Sequence, residues 1–266
     1  MLTFKDFLNE RAKTRDPKYS PVDLSDAIKT IKSHCRDAMW MISEDRPLYR
    51  GERNETTIKK LNKTGCLAVD PSKTERASQN TSNFYTLIFD NIPSMKDYPK
   101  RSRSFIASTS FGRAEQYTHN TDDVMIMIPY NGVKIGIVPE EDIWDIKINL
   151  FNRERNLPNM NRTIFTDLNL SSTDWSKWIE FDKLLKAGGE AAYNRLGHAI
   201  SFGQADKHRN DFLETVMAAY SPEETGFECC TTEDFPHDAR NNEVWVSGPV
   251  LLISLNMWAD IKEELS

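Results

Sequence analysis

Nowhere in the 266 residues does an apolar run approach the ~20 residues that a bilayer-spanning helix needs, the candidate Val250 to Leu255 being only six residues with a serine among them. The opening Met1-Leu2-Thr3-Phe4-Lys5-Asp6-Phe7 lacks the basic-then-apolar layout of a secretory signal, so a cytoplasmic location is expected. Cysteine is scarce: there are four, two of them adjacent at Cys229 and Cys230, which excludes a disulfide framework or a spaced zinc set. The histidines at 34, 119, 198, 208 and 237 show no metal-ligand spacing, and no metal is expected. Glycine-rich dinucleotide loops, Walker A loops, H-E-x-x-H and G-x-S-x-G are all missing, which removes the commonest enzyme signatures. Strong charge of one sign is missing too. A net charge of −6 gives no global field for nucleic acid or an anionic membrane, although Lys100-Arg101-Ser102-Arg103 reads as a local basic patch.

What is present is an ordinary folded composition, 39% hydrophobic and 28% charged, long enough for a substantial core. After Pro21, Leu24, Ala27, Ile28, Ile31, Cys35, Ala38, Met39 and Ile42 recur at helical spacing. They predict one long amphipathic helix, with Asp23 or Ser25 as cap, that stops at Asp45-Arg46-Pro47 because proline disfavours helical geometry in the residue before it. A short strand through Leu48 and Tyr49 follows, then a polar stretch over 52–73, then a helix from Phe84 to Ile92. Strands are expected at 105–108, 124–128 and 133–138, with a short helix from Phe111 to Tyr117 capped by Ser110. The region 144–220 reads as mostly helical, and strands return at 243–246 and 249–253. This order predicts an α+β chain. Its expected parts are a helical region 1–46 packed on a core of 47–266, with a helical insertion over about 144–222.

Three short pieces carry the candidate chemistry. Leu48-Tyr49-Arg50-Gly51, Ser108-Thr109-Ser110 and Asn241-Asn242-Glu243-Val244 each lie at the edge of a strand-like run. Together they supply a planar cation suited to two parallel hydrogen bonds with phosphate, a set of hydroxyls, and a carboxylate. A carboxylate aimed at a sugar is most useful where a glycosidic bond breaks through a cationic state. Each piece also has a plainer reading: Arg50 as a strand-end ion pair, Ser110 as a helix cap, Glu243 as a solvated strand end.

In order and context the three pieces resemble the arginine, serine-threonine-serine and glutamate strands of the mono-ADP-ribosyltransferases. The resemblance is to the R-S-E branch, which includes cholera-like toxins and the Alt and Mod enzymes of T-even phages, and it spans roughly 47–253. It implies a split β-sandwich around an NAD cleft with an N-terminal helical lobe. It implies transfer of ADP-ribose from NAD to a macromolecule, expected to be a host protein, in the host cytoplasm or packaged with the virion, with no membrane partner. By the family's pattern Arg50 clamps the pyrophosphate and the Gly51 backbone holds the nicotinamide amide. Ser108 orients Glu243, which hydrogen-bonds the ribose 2′-hydroxyl, while Thr109 and Ser110 support the strand geometry and the helix start. Phe111 and Tyr117, the aromatics nearest in sequence, are candidates to stack on the nicotinamide, with core packing as their plainer reading. Many members carry Gln or Glu where this chain has Asn241, which leaves the acceptor open. The loop 229–242 is implied to face the acceptor through Phe235. Water, DNA or RNA as acceptor, or a non-catalytic protein that keeps the fold, are the alternatives.

Overall fold

A computed structural model describes residues 18–76, 84–150, 153–156, 174–199 and 212–265. The chain is α+β and divides into two compact units, one of residues 1–77, 98–141 and 228–266, the other of 78–97 and 142–227. In chain order the strands are β1 (Ser20–Val22), β2 (Leu48–Gly51), β3 (Cys66–Val69), β4 (Phe105–Ser108), β5 (Val124–Pro129), β6 (Lys134–Ile137), β7 (Lys147–Leu150), β8 (Arg153–Asn156), β9 (Glu228–Thr231), β10 (Glu243–Ser247) and β11 (Val250–Ser254). The helices are α1 (Leu24–His34), α2 (Met39–Ser43), α3 (Glu55–Thr64), α4 (Phe84–Asn91), α5 (Phe111–Glu115), α6 (Trp175–Ala199), α7 (Phe212–Ala219), α8 (Pro222–Thr225) and α9 (Leu255–Leu265).

The first unit is built on one antiparallel nine-stranded sheet of order β1-β3-β11-β5-β2-β4-β10-β6-β9. Its apolar strands explain their own position. Val124–Pro129 and Val250–Ser254 are buried at every residue, as continuous apolar runs must be when both faces of a strand are covered, and they pair through Leu251 and Ile128. The sheet narrows at one point. β2 meets β5 over four registered pairs and β4 meets β10 over four, but β2 meets β4 through Tyr49 and Ser108 alone.

The long helix expected from Leu24 to Ile42 is broken in two. α1 ends at His34, Cys35 leaves helical geometry at φ −123° and ψ 33°, and a 3₁₀ turn at Arg36–Ala38 leads into α2. A tertiary tie causes the break: the Asn131 N–H donates to His34 O at 2.7 Å and the Asp37 N–H donates to the Asn131 side chain at 3.0 Å. The apolar stripe still faces inward, with Ala27, Ile31, Cys35, Ala38, Met41 and Ile42 all in the core. The polar stretch 52–73 contains α3, capped by the Asn54 side chain, and the short strand β3. Neither was expected: three lysines mask the helix and four residues are too few to show alternation. β1, β9 and α9 are likewise additions to the expected pattern.

The second unit is largely aromatic in its packing. Phe89 of α4 meets Tyr220 and Phe227 with ring centroids 5.5 and 4.9 Å apart, Tyr85 meets Trp144 at 4.7 Å, and Trp178 of α6 is fully buried. The Asp182 carboxylate accepts the Leu213 N–H at 3.0 Å and so ties α7 to α6. Among the described residues no helix is long and apolar enough to cross a membrane.

Cys35 and Cys66 share the core of the first unit, and burial pushes both thiols up to about 12. At pH 8 that leaves roughly 10⁻⁴ of either as thiolate. Burial also pushes Cys230 up to about 12, whereas Cys229 is exposed. In a thiol-reagent titration of the native protein at pH 8, the exposed Cys229 should react first, and Cys35 and Cys66 only on unfolding. Fast labelling of Cys35 would mean that α1 is not seated on the sheet.

Candidate active site

Register places two of the three motif pieces face to face. Glu243 lies directly opposite Ser108, and Ser108 directly opposite Tyr49, so the three form one row across β10, β4 and β2. Residues directly opposite share a face of the sheet. Phe105, Ala107, Val244 and Val246 alternate onto the other face, where they join the main hydrophobic core.

The serine-threonine-serine run divides its work. The Ser108 hydroxyl accepts the Ser110 N–H at 3.0 Å, which ends the strand and leaves its O–H hydrogen as a donor. Ser110 caps α5, as its sequence position predicts, by accepting the Arg113 N–H at 3.4 Å. Thr109 stitches the strand to the one that carries the glutamate: its N–H donates to Asn242 O at 3.0 Å and its hydroxyl accepts the Asn242 N–H at 2.9 Å. On the far side the Asn242 amide donates to Val138 O at 2.8 Å, and the Glu243 N–H donates to Glu140 O at 2.9 Å. Glu243 is therefore held on both edges before its side chain makes any contact.

Glu243 is not a solvated strand end, being 5% exposed. Its Oε1 accepts the Trp245 indole N–H at 2.6 Å and lies 3.3 Å from the Arg101 guanidinium. Arg101 is 8% exposed, and its guanidinium sits over the Trp245 ring, 5.4 Å from the centroid. The basic patch expected at Lys100–Arg103 is thus not a patch. Arg101 turns inward, and the exposed Arg103 pairs with Glu75 at 2.7 Å. Neither partner of the carboxylate belongs to the three motif pieces. Trp245 could have been found by alternation, since residues two apart on a strand share a face. Nothing local marks Arg101, 142 positions away.

Arg50 departs from expectation. Alternation sends its side chain to the face opposite Tyr49, and its guanidinium lies over the Phe105 ring, 4.6 Å from the centroid. It donates to Ile106 O at 2.8 Å and pairs with the buried Glu52 at 3.6 Å. It fastens β2 to β4 where the ladder runs out and is not a cation presented beside Ser108 and Glu243. Gly51 is required by close approach: a Cβ there would collide with the Ala114 carbonyl oxygen and lie 2.9 Å from Tyr117 Cβ. α5 therefore packs directly on this end of β2, where Phe111 sets its edge against the Tyr49 ring at 5.5 Å and 89°. Burial first, and the Asp45 charge second, push the Tyr49 phenol up from its usual range, so it stays a neutral donor.

The loop before β10 corrects a second expectation. Phe235 is 3% exposed and stacks on Trp40 at 6.1 Å, so it anchors the loop and is not the residue that an acceptor meets. His237 stacks on Trp40 at 4.0 Å and is more than half exposed. Asn241 is exposed and adopts φ 58°, the left-handed region that asparagine tolerates better than glutamine or glutamate. That conformation gives a physical reason for asparagine at this position. Comparison with protein-family models, curated proteins and solved structures finds no match to this chain.

Because the constraint at Asn241 is its backbone angle, Asn241→Gln should lower stability by about 1 kcal/mol and Asn241→Gly should leave it unchanged or raise it. Urea unfolding of the two variants checks the order.

Proposed function

We propose that this chain is a mono-ADP-ribosyltransferase, which cleaves NAD at the bond between nicotinamide and ribose and transfers ADP-ribose to a macromolecular acceptor, a host protein being the expected one. The observation that carries the reading is the row: Ser108 and Glu243 are directly opposed on neighbouring strands, and the strand of Tyr49-Arg50-Gly51 is the next one over. A sheet that narrows to one pair between β2 and β4 is compatible with the split β-sandwich that the resemblance implies.

The chemistry follows from the residues of the row. As the C1′–N bond of NAD lengthens, its electron pair leaves with nicotinamide and positive charge gathers on the ribose. A fixed carboxylate close by stabilises that state more than the ground state, which is the condition for catalysis. Glu243 is that carboxylate in this reading, accepting a hydrogen bond from the ribose 2′-hydroxyl, and Ser108 offers an O–H donor beside it. An acceptor nucleophile then bonds to C1′ and gives up its proton to solvent water. Arg50 enters as the residue that keeps β2 and β4 joined. A pyrophosphate role for it requires exchange of Glu52 for phosphate.

The internal engagement of Arg50 and the near-complete burial of Glu243 favour a second reading, an interaction protein that keeps the fold without turnover. Nicotinamide release separates the two. Glu243→Gln keeps the shape of the side chain, and an amide oxygen still accepts the Trp245 N–H. The variant should fold as the wild type does by circular dichroism while nicotinamide release from NAD falls at least ~100-fold. Equal release by wild type and variant removes Glu243 from catalysis. Labelled NAD with a host lysate then reports whether protein or nucleic acid takes the label.

A further inference from the structure

Arg101 belongs to none of the three motif pieces, yet it is buried against the one carboxylate of the site. Arg101, Glu243 and Trp245 form a closed triangle in which each side chain touches the other two. The guanidinium lies 3.3 Å from Glu243 Oε1, the indole N–H donates to the same oxygen at 2.6 Å, and the guanidinium covers the indole ring at 5.4 Å. All three are at most 8% exposed. Two donors on one oxygen fix the rotation of the carboxylate, and a charged donor offsets the cost of burying a charged acceptor.

The backbone that delivers Arg101 is itself tied down. It sits in the 3₁₀ turn Arg101–Arg103 just before β4. Its carbonyl accepts from Arg76 Nε at 3.3 Å, the next carbonyl accepts the Arg76 N–H at 2.8 Å, and the Ser104 hydroxyl donates to Lys100 O at 2.7 Å. Pro99 packs where Gly136 has no side chain, beside Trp245. Arg101 therefore reaches Glu243 from a fixed support, as a residue must if it is to set another's angle.

We propose that Arg101 is a positioning residue, which with Trp245 clamps the Glu243 carboxylate in the orientation that meets the ribose. This rests on the reading of Glu243 as the catalytic carboxylate. A planar guanidinium suits the role because it hydrogen-bonds at its edge and stacks on the indole by its face, whereas an ammonium supplies the charge alone.

The test measures nicotinamide release from NAD by wild type, Arg101→Lys and Arg101→Met, with kcat and KM separated. The indole N–H resonance of Trp245 is recorded for each without NAD. Arg101→Met should lower kcat about 10–100-fold with KM nearly unchanged, Arg101→Lys should recover part of the loss, and the indole resonance should shift in the methionine variant. An unchanged kcat, or a rise in KM alone, overturns the proposal, the second outcome making Arg101 a donor-binding residue instead. Should Arg101→Met fail to fold, Arg101→Lys decides: wild-type kcat with an unmoved indole resonance overturns the clamp. A wild type that releases no nicotinamide overturns the glycosidic reading and the positioning role with it. The Arg101–Glu243–Trp245 contact is then judged by the indole resonance alone, which shifts on substitution if the clamp exists.

Discussion

Taking the Glu243 carboxylate out of water costs several kcal/mol unless donors are aimed at it, and in this protein they are supplied by Trp245 on the same strand and by Arg101 from a distant turn. Much of the first unit follows from meeting that demand. The indole must be buried to reach the carboxylate, so β10 is an interior strand paired on both edges. The guanidinium arrives on the face that Glu243 and Trp245 share, from a turn that is hydrogen-bonded to Arg76 and preceded by Pro99, which packs over Gly136 of β6. The alternate residues Val244 and Val246 are then free to join the hydrophobic core. One pentapeptide thus serves a polar cluster on one side of the sheet and apolar packing on the other.

The same economy appears at the junction of the sheet's two parts. β2 and β4 share one registered pair, and the contacts around it make up for the missing ladder. Arg50 donates across the gap to Ile106, and α5, started by Ser110, packs on Gly51 and Tyr49. The joint beside the row that carries Ser108 and Glu243 is therefore held more by buried side chains than by backbone bonds.

Local signals were legible in the sequence wherever they act over a few residues. The cap at Ser110, the strand at 105–108 and the carboxylate strand at 243–246 all lie where period and turn chemistry put them. What was not legible depends on partners far along the chain. The helix break at Cys35 is imposed by Asn131, the inward turn of Arg101 by Glu243, and the burial of Phe235 by Trp40. Arg50 is the instructive case. It lies within β2 rather than at the end of a strand through Leu48 and Tyr49, and alternation, which the sequence also carries, sends its side chain away from Tyr49 and toward Phe105. Spacing identified the strands of the site, and only pairing and register decided which side chains share a face.

On the proposed reading the Ser108–Glu243 row holds the ribose of NAD. A crystal structure of the protein with a non-cleavable NAD analogue tests it most directly. The nicotinamide-side ribose should lie within hydrogen-bond distance of the Glu243 carboxylate and the Ser108 hydroxyl, with the Trp245 indole still on Oε1. An analogue bound away from this row, or none bound at saturating concentration, would contradict it.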